Sequence, residues 1–221
     1  MFNSLWQLLL GSYCVLCREA VNGDEGTRQL CRWCLASLPW QSAPEQRSPP
    51  PGISRCFAPF AYQGAVKRWV LDAKHDAGLI AARTLGVLLA ESLQAAYPFP
   101  SERPDLLVPV PLSSRRLRAR GHNQAVLIAE QVVKRLGIPL DRRCVRHVRH
   151  TSVLADLDPA ERREQVAEAF EVPRLAEGIR VAIVDDVVTT GATAAAIAGR
   201  LIAAGAGEVQ LWAASRAPHP G

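Results

Sequence analysis

The sequence predicts an α/β protein with a parallel, Rossmann-like sheet and a small cysteine-bearing module in front of it. Apolar strand segments alternate with helical segments over the second half of the chain, as in proteins whose parallel sheet is covered on both faces. Two Cys-x-x-Cys pairs lie within the first 40 residues, and a proline-rich stretch follows them. That stretch is typical of an extended linker. We therefore expect three parts: residues 1–40, 41–52 and 53–217.

The composition is that of a globular protein, with 48% hydrophobic and 21% charged residues among 221. No apolar run reaches the roughly 18 residues of a membrane span. The first eleven residues lack the basic start and cleavage site of a secretory signal, so we expect a cytoplasmic protein without a membrane span. Arginine supplies 23 of the 26 basic side chains and the net charge is +5, which favours anionic partners but also fits a GC-rich genome.

The apolar periodicity predicts the elements of the main region in chain order. The first is an edge strand over residues 55–62, interrupted by Pro59. The others are helices over residues 64–74, 79–97, 122–136 and 192–204, a helix that begins at Asp158, and strands over residues 106–108, 181–184 and 209–214.

Four cysteines have the spacing of a metal site: Cys14, Cys17, Cys31 and Cys34. Each Cys-x-x-Cys turn offers two thiolates to one ion, and two such turns complete a tetrahedral site. Zn²⁺ is the first expectation, an iron–sulfur cluster is the alternative, and two redox-active pairs are the competing interpretation. A closed four-thiolate site has no open position, so its role would be structural.

The second chemical pattern is the string VAIVDDVVTTGAT at residues 181–193. Asp185 and Asp186 stand at the predicted carboxyl end of a strand, where open parallel sheets bind their ligands. The turn that follows opens a helix and consists of Thr189, Thr190, Gly191, Ala192 and Thr193. Backbone N–H groups, hydroxyls and the positive end of the helix together form a phosphate cradle. Because two carboxylates can accept hydrogen bonds from a diol or hold Mg²⁺, the pattern predicts a sugar-phosphate site.

This string resembles the phosphoribosyl-pyrophosphate motif of type I phosphoribosyltransferases. Nearly the whole chain resembles one branch of them, the ComF/GntX-like family. The resemblance rests on the four-cysteine ribbon, FAYQG at residues 60–64, Lys74, VPVPL at residues 108–112 and RRLRARGHNQA at residues 115–125. It implies a type I phosphoribosyltransferase core, an N-terminal zinc ribbon, and a link to competence and DNA uptake.

The resemblance also implies roles for individual residues. Asp185 and Asp186, the catalytic pair, would contact the ribose hydroxyls of phosphoribosyl pyrophosphate, and the turn at residues 189–193 would hold its 5′-phosphate. The pyrophosphate loop would consist of Pro109, Val110, Pro111, Leu112 and Ser113. If the phosphoribosyl group is transferred, Mg²⁺ and arginines would neutralise the departing diphosphate, and no nucleophilic side chain is required.

Four arginines directly follow that loop: Arg115, Arg116, Arg118 and Arg120. They can clamp a diphosphate, bind a nucleic-acid backbone or form a solvated face. Their region is strongly basic, since residues 103–150 hold eleven basic and three acidic side chains. Two functions therefore stay open. One is a phosphoribosyltransferase, and the other is a non-catalytic scaffold of DNA uptake that binds single-stranded DNA and DNA-uptake or helicase proteins.

Residues 147–172 resemble the mobile loop of the family and the segment after it. Arg149 and Thr151 fit the family pattern, whereas Leu154 stands where Gln is expected and Gln165 where Asn is usual. These departures leave the donor-binding motif intact and weaken a role for this stretch in recognising an acceptor.

Overall fold

A computed structural model of the protein describes residues 12–21, 29–75, 78–148 and 169–218. The described part of its N-terminal module contains a short antiparallel hairpin and a short helix: β1 (Ser12–Tyr13), β2 (Ala20–Val21) and α1 (Arg32–Ala36). A module of this size lacks a sufficient core of its own. Its buried Leu30 and Leu38 accordingly belong to the same apolar cluster as Phe60 of the main body.

The main body is built on a parallel sheet, as predicted. The strands after the module are β3 (Arg55–Phe57), β4 (Phe60–Ala61), β5 (Leu106–Pro109), β6 (Arg146–His147), β7 (Phe170–Glu171), β8 (Arg180–Val188) and β9 (Glu208–Arg216). The sheet has the order β3-β9-β8-β5, with β4 also paired to β9, while β6 and β7 form a separate antiparallel pair. The central strands β8 and β9 are nearly continuous apolar runs because both of their faces are covered.

Helices cover both faces of this sheet. They are α2 (Gly64–Asp72), α3 (Leu79–Ala96), α4 (Ser114–Arg120), α5 (Gln124–Leu136) and α6 (Ala192–Ala203). Apolar residues of α2, α3 and α5 share one core cluster with Ala182 and Val184, whereas those of α6 share the other with Val181 and Ile183. Successive residues of β8 thus face two different cores, as the pleat of a strand requires.

The structure corrects the sequence prediction for β8. This strand does not end at residue 184, because β9 pairs with it as far as Val188 and Arg216. Asp185 and Asp186 therefore lie inside a strand. The edge strand expected at residues 55–62 is divided into β3 and β4 at Pro59. Helix α4 was not predicted, because most of its side chains are basic and it shows no apolar periodicity.

Several predicted features fall outside the described residues. They are the helix expected from Asp158 and the loop positions Arg149, Thr151, Leu154 and Gln165.

Helix α3 is long and apolar enough, by length and composition, to cross a membrane. Half of its apolar window is buried inside the protein. Leu85, Leu89 and Leu93 on this helix belong to the core cluster that it shares with α2 and α5. Core helices commonly pass the same test, and these contacts place α3 in the core.

The proline-rich segment lies along the edge of the sheet. Backbone bridges join Trp40 to β4 and Glu45 to β3. Further along, Pro50 lies so close to Gly191 that a Cβ on that glycine would be 2.3 Å from the proline Cγ. The segment thereby connects the cysteine module to the turn that follows β8.

Candidate functional site

Four cysteine sulfurs converge in the N-terminal module. The Sγ atoms of Cys14, Cys17, Cys31 and Cys34 all lie within 4.8 Å of one another, and the four thiols are free of disulfide bonds. The first pair lies on the turn between β1 and β2, and the second at the start of α1. Four thiolates at this separation are the donor set that a closed, tetrahedral Zn²⁺ site requires.

The backbone turns sharply beside each pair. Arg18 follows the first pair with φ 67°, and Gln29 precedes the second with φ 54°; such left-handed conformations cost non-glycine residues about 1–3 kcal/mol. The Arg18 N–H donates to the Cys14 carbonyl and the Val15 N–H to the Gln29 carbonyl, both at 2.9 Å. The second bond joins the two cysteine turns. The strained backbone at Arg18 and Gln29 therefore belongs to the turns that bring the four sulfurs together.

The surroundings of the thiols separate their pKa values. Burial raises the pKa of the Cys34 thiol well above its ordinary value, and the neighbouring thiols add to the effect. Burial acts in the same direction on Cys14, but backbone hydrogen bonds from Cys17, Cys31 and Leu16 outweigh it and lower the pKa of Cys14 to about 6. A bound cation would draw all four thiols into the thiolate form.

The second site lies where β8 extends beyond β5. Strand β5 pairs with β8 only as far as Pro109 and Val184, so Asp185 is the first residue beyond that pairing. The Val110 N–H donates to the Val184 carbonyl at 2.9 Å. The predicted pyrophosphate loop, residues 109–113, therefore begins directly beside the acidic pair, as expected if both belong to one site.

The two carboxylates have different surroundings. Asp186 is only 4% exposed; its Oδ1 accepts from the Val187 N–H at 3.0 Å, and its Oδ2 lies 3.7 Å from Lys74 Nζ. Among the described residues this Oδ2 has no hydrogen-bond partner. Burial and the adjacent Asp186 raise the pKa of the Asp185 carboxyl well above its usual range, while Lys74 acts to lower it. An orphaned buried oxygen and a strongly raised pKa are typical of binding sites.

The turn at residues 189–193 forms the N-terminus of α6. Gly191 adopts φ 74°, which favours glycine, and it offers no side-chain cap to the helix. Asp185 and residues 187–194 line a cavity of about 60 Å³, which has room for a phosphate-sized anion. The Ala192 N–H donates to Thr190 Oγ1 at 3.4 Å. The other N–H groups of the first turn and the positive end of the helix favour an anion there.

The four arginines after the loop lie on α4. Ser113 caps this helix, since its Oγ accepts from the Arg116 N–H at 3.4 Å. Arg120 is half-buried and donates to Gln124 Oε1 at 3.3 Å. The other three are exposed and form a basic face next to the pyrophosphate loop: Arg115, Arg116 and Arg118.

Sequence reasoning did not predict a second cavity beside this loop. It has a volume of about 440 Å³ and lies between the loop, α4, α5 and the residues around β6. Its apolar lining includes Leu112, Leu117, Leu127 and Val145, and three arginines also line it: Arg142, Arg143 and Arg146. The Arg142 guanidinium pairs with Glu130 at 2.7 Å. The excess of basic residues over residues 103–150 was the sequence feature that pointed to this cavity. A count of charges does not show which of the arginines lie close together in the fold.

The curated relatives of this chain have names that refer to DNA utilization or to competence. DNA utilization protein YhgH of Escherichia coli K12 is 31% identical over 214 residues, which cover 95% of this chain and 93% of that protein. The protein of the same name from Salmonella typhimurium is 39% identical over 137 residues, covering 62% of this chain and 60% of that protein. Competence protein F of Haemophilus influenzae is 38% identical over 117 residues, covering 52% and 51%. The matches thus span little more than half of the last two relatives.

No family model matches the chain. Similar solved structures include the allosteric regulatory enzyme of purine biosynthesis, with a TM-score of 0.47 and 22% identity over 67% of this chain and 30% of that one. A purine phosphoribosyltransferase from Pyrococcus horikoshii has a TM-score of 0.32 and 20% identity over 56% and 68%. Both TM-scores are low, so the parallel sheet and the sequence relatives carry the fold assignment.

Proposed function

Since the chain belongs to the ComF/GntX-like family, which includes competence protein F and the DNA utilization proteins, we propose that it binds phosphoribosyl pyrophosphate with Mg²⁺ at the carboxyl edge of its sheet. The observation that carries this proposal is the cavity lined by Asp185 and the turn at residues 189–193, directly beside the loop at residues 109–113. Each part matches one part of the ligand: the acidic pair the ribose diol, the turn the 5′-phosphate, and the loop the diphosphate.

The residues of the site supply complementary hydrogen-bonding groups. The N–H groups of the first turn of α6 donate to the 5′-phosphate. The carboxylates of Asp185 and Asp186 accept from the ribose hydroxyls. The orphaned Oδ2 of Asp186 is the kind of oxygen ligand that Mg²⁺ prefers, and the bound ion would offset the charge of the diphosphate.

Transfer of the phosphoribosyl group is the reaction that this arrangement supports. The bond between the anomeric carbon and the diphosphate oxygen breaks, and diphosphate leaves with the electron pair. Positive charge then develops on the sugar, and the acceptor forms its bond to the same carbon. Nearby carboxylates stabilise that developing charge, so the protein needs no covalent intermediate.

Calorimetric titration of the zinc-loaded protein with phosphoribosyl pyrophosphate, with and without Mg²⁺, tests the proposal. We expect saturable binding that depends on Mg²⁺ and is lost when Asp185→Asn is combined with Asp186→Asn. The control is Asp105→Asn, because Asp105 lies just before β5 and pairs with Arg180 at 2.8 Å, away from the turn. Absence of binding by the wild type, or an unchanged affinity in the double variant, contradicts the assigned site.

A second function, binding of single-stranded nucleic acid, is favoured by the cavity of about 440 Å³. An apolar lining accommodates a nucleobase, and guanidinium groups pair with phosphates. The exposed arginines of α4 extend this basic surface towards the pyrophosphate loop. This function would make the protein an accessory of DNA handling, and it needs no transfer reaction.

Salt dependence of oligonucleotide binding distinguishes this function from chance attraction. Arg116→Ala and Arg143→Ala are each expected to weaken binding and to reduce the slope of log K against log salt by about 0.7. Arg83→Ala, an exposed position on α3, serves as the control and should leave both quantities unchanged. Equal losses in all three variants would mean that only the overall charge matters.

A further inference from the structure

We propose that Lys74 is a binding residue of the donor site that contacts the diphosphate of phosphoribosyl pyrophosphate, and that His122 is its positioning residue. The proposal rests on the proposed function, because it names the cation of that same site. Both residues contribute to the resemblance, Lys74 by itself and His122 within the string at residues 115–125. His122 has no role in the site as described so far, and Lys74 enters it only as the neighbour of the acidic pair.

Lys74 reaches the acidic pair from the end of α2. Its Nζ lies 3.7 Å from Asp186 Oδ2, and the side chains are 28% and 5% exposed respectively. The ammonium group is therefore partly exposed, while its counter-ion is buried. An ammonium group has three N–H donors, and at this distance the carboxylate oxygen takes up none of them in a short hydrogen bond. The group keeps donors for an anion.

A tight turn after α2 holds Lys74 in this place. The Lys74 N–H donates to the Leu71 carbonyl at 3.1 Å, and the His75 N–H to the Asp72 carbonyl at 2.9 Å. Gly78 packs so closely on this turn that a Cβ would lie 2.0 Å from the Asp72 carbonyl oxygen. The direction in which Lys74 leaves the helix is thus set by backbone contacts.

The connection between α4 and α5 ties this turn to the pyrophosphate loop. His122 Nε2 donates to the Ala73 carbonyl at 2.8 Å, which requires a proton on that nitrogen. The next residue, Asn123, donates from Nδ2 to the Val110 carbonyl at 2.9 Å. Two neighbouring side chains therefore hold Lys74's own turn and the loop at residues 109–113 in one arrangement.

The charges of the site call for a cation at this position. In their ionised forms, Asp185 and Asp186 would repel a diphosphate bound next to them. Lys74 lies beside the acidic pair and is linked through His122 and Asn123 to the diphosphate loop, so one ammonium group offsets the carboxylates and attracts the leaving group.

Lys74→Gln tests the binding role, with Lys67→Gln as the matched control. Lys67 is an exposed lysine on α2, the helix that precedes Lys74, and its Nζ lies 5.9 Å from the Tyr62 ring. Affinities of the zinc-loaded protein are measured with Mg²⁺ for three probes: phosphoribosyl pyrophosphate, inorganic pyrophosphate and ribose 5-phosphate. Lys74→Gln should weaken binding of the first two by about tenfold or more, the size of a lost hydrogen bond to a charged group. Its affinity for ribose 5-phosphate and all affinities of Lys67→Gln should stay close to those of the wild type.

His122→Ala tests the positioning role with the same three probes. We expect a smaller loss with the same selectivity for the diphosphate-containing ligands. His122→Gln, which keeps an N–H donor, should recover part of that loss. A general defect of folding would lower the affinity for all three probes together and would also lower the melting temperature.

The outcomes separate the two levels of the proposal. If the wild type does not bind phosphoribosyl pyrophosphate, the proposed function fails and the role of Lys74 fails with it. If the wild type binds but Lys74→Gln behaves like Lys67→Gln, only the role of Lys74 is overturned. A parallel loss for ribose 5-phosphate also overturns it, because Lys74 would then merely support Asp186.

Discussion

The charge state of Asp185 that would bind a ribose differs from the charge state that stabilises the fold. Burial and the charge of Asp186 raise its pKa in the folded protein, so folding favours the protonated carboxyl. The ionised form that would accept bonds from a ribose is the form that the fold disfavours. The stability of the protein therefore falls as the pH rises from the ordinary Asp value of 3.8 towards the raised pKa.

Replacing this carboxyl should stabilise the protein at neutral pH. Asp185→Asn is expected to raise the melting temperature in Mg²⁺-free buffer at pH 7 by about 2 °C or more, and the gain should vanish below the ordinary Asp pKa. Asp105→Asn is the control with the opposite sign. Hydrogen bonds from Arg180 lower the pKa of Asp105, so its charge stabilises the fold above that pKa, by about 0.2–1 kcal/mol for an exposed pair. A lower melting temperature for Asp185→Asn at pH 7 would contradict this account.

Replacing one of the four cysteines should be enough to abolish metal binding. We propose that the four-thiolate centre binds Zn²⁺ and expect Cys31→Ser to lower bound zinc from about one ion per chain to nearly none, because a closed site needs all four ligands. Cys144→Ser is the control, since Cys144 is a buried free thiol outside the cluster. Metal analysis of both purified variants gives the result. Unchanged zinc in Cys31→Ser, or visible absorption typical of iron and sulfide in the wild type, would refute a zinc centre.

The turn between β8 and α6 combines a functional and a packing constraint in one element. Gly191 has a left-handed backbone at the start of the helix, and Pro50 fills the space where a side chain would be. The proline-rich segment thus packs against the cradle that is proposed to hold the 5′-phosphate.

Two glycines in this element should respond to alanine in opposite directions. Gly191→Ala is expected to destabilise the protein by about 1–3 kcal/mol, from the left-handed φ and the contact with Pro50. Gly199→Ala should stabilise it by about 0.5–1 kcal/mol, since Gly199 lies within α6 and a Cβ there meets no atom within 4 Å. Urea unfolding of both variants measures the two changes. Equal effects would show that neither the backbone angle nor Pro50 constrains the turn.

On the scale of the whole molecule, the cysteine module and the sheet share one apolar core. Cys14 and Cys31 belong to the same cluster as Phe60, Leu89 and Trp212. A metal held by the four cysteines would therefore support more than the module that contains them, because loosening their turns exposes part of the common core.

Removal of the metal should destabilise the entire chain. A chelator strong enough to extract zinc is expected to lower the melting temperature by about 5 °C or more while unfolding remains one transition. Scanning calorimetry before and after chelation, and after zinc is restored, makes the comparison. Two separate transitions, with the upper one unmoved, would show that the module unfolds independently of the sheet.

Features that depend on residues close together in the chain could be predicted from the sequence alone. The two Cys-x-x-Cys turns, the strand–turn–helix string at residues 181–193 and the alternation of apolar segments are all set by neighbours along the chain. The structure confirms the convergence of the four sulfurs and the parallel sheet. Spacing and periodicity suffice for such features because a turn, a strand or a helix is decided within a few residues.

Only the tertiary structure decided which distant groups meet. The extension of β8 to Val188 depends on pairing with β9, the contact of Pro50 with Gly191 spans most of the chain, and the Lys74–Asp186 pair joins two elements that the sequence leaves unrelated. The orphaned oxygen of Asp186 and the raised pKa of Asp185 are consequences of burial, which belongs to the assembled core. A sequence determines local conformation through steric and hydrogen-bonding preferences, whereas electrostatics at a site depend on distances that exist only after the layers have packed.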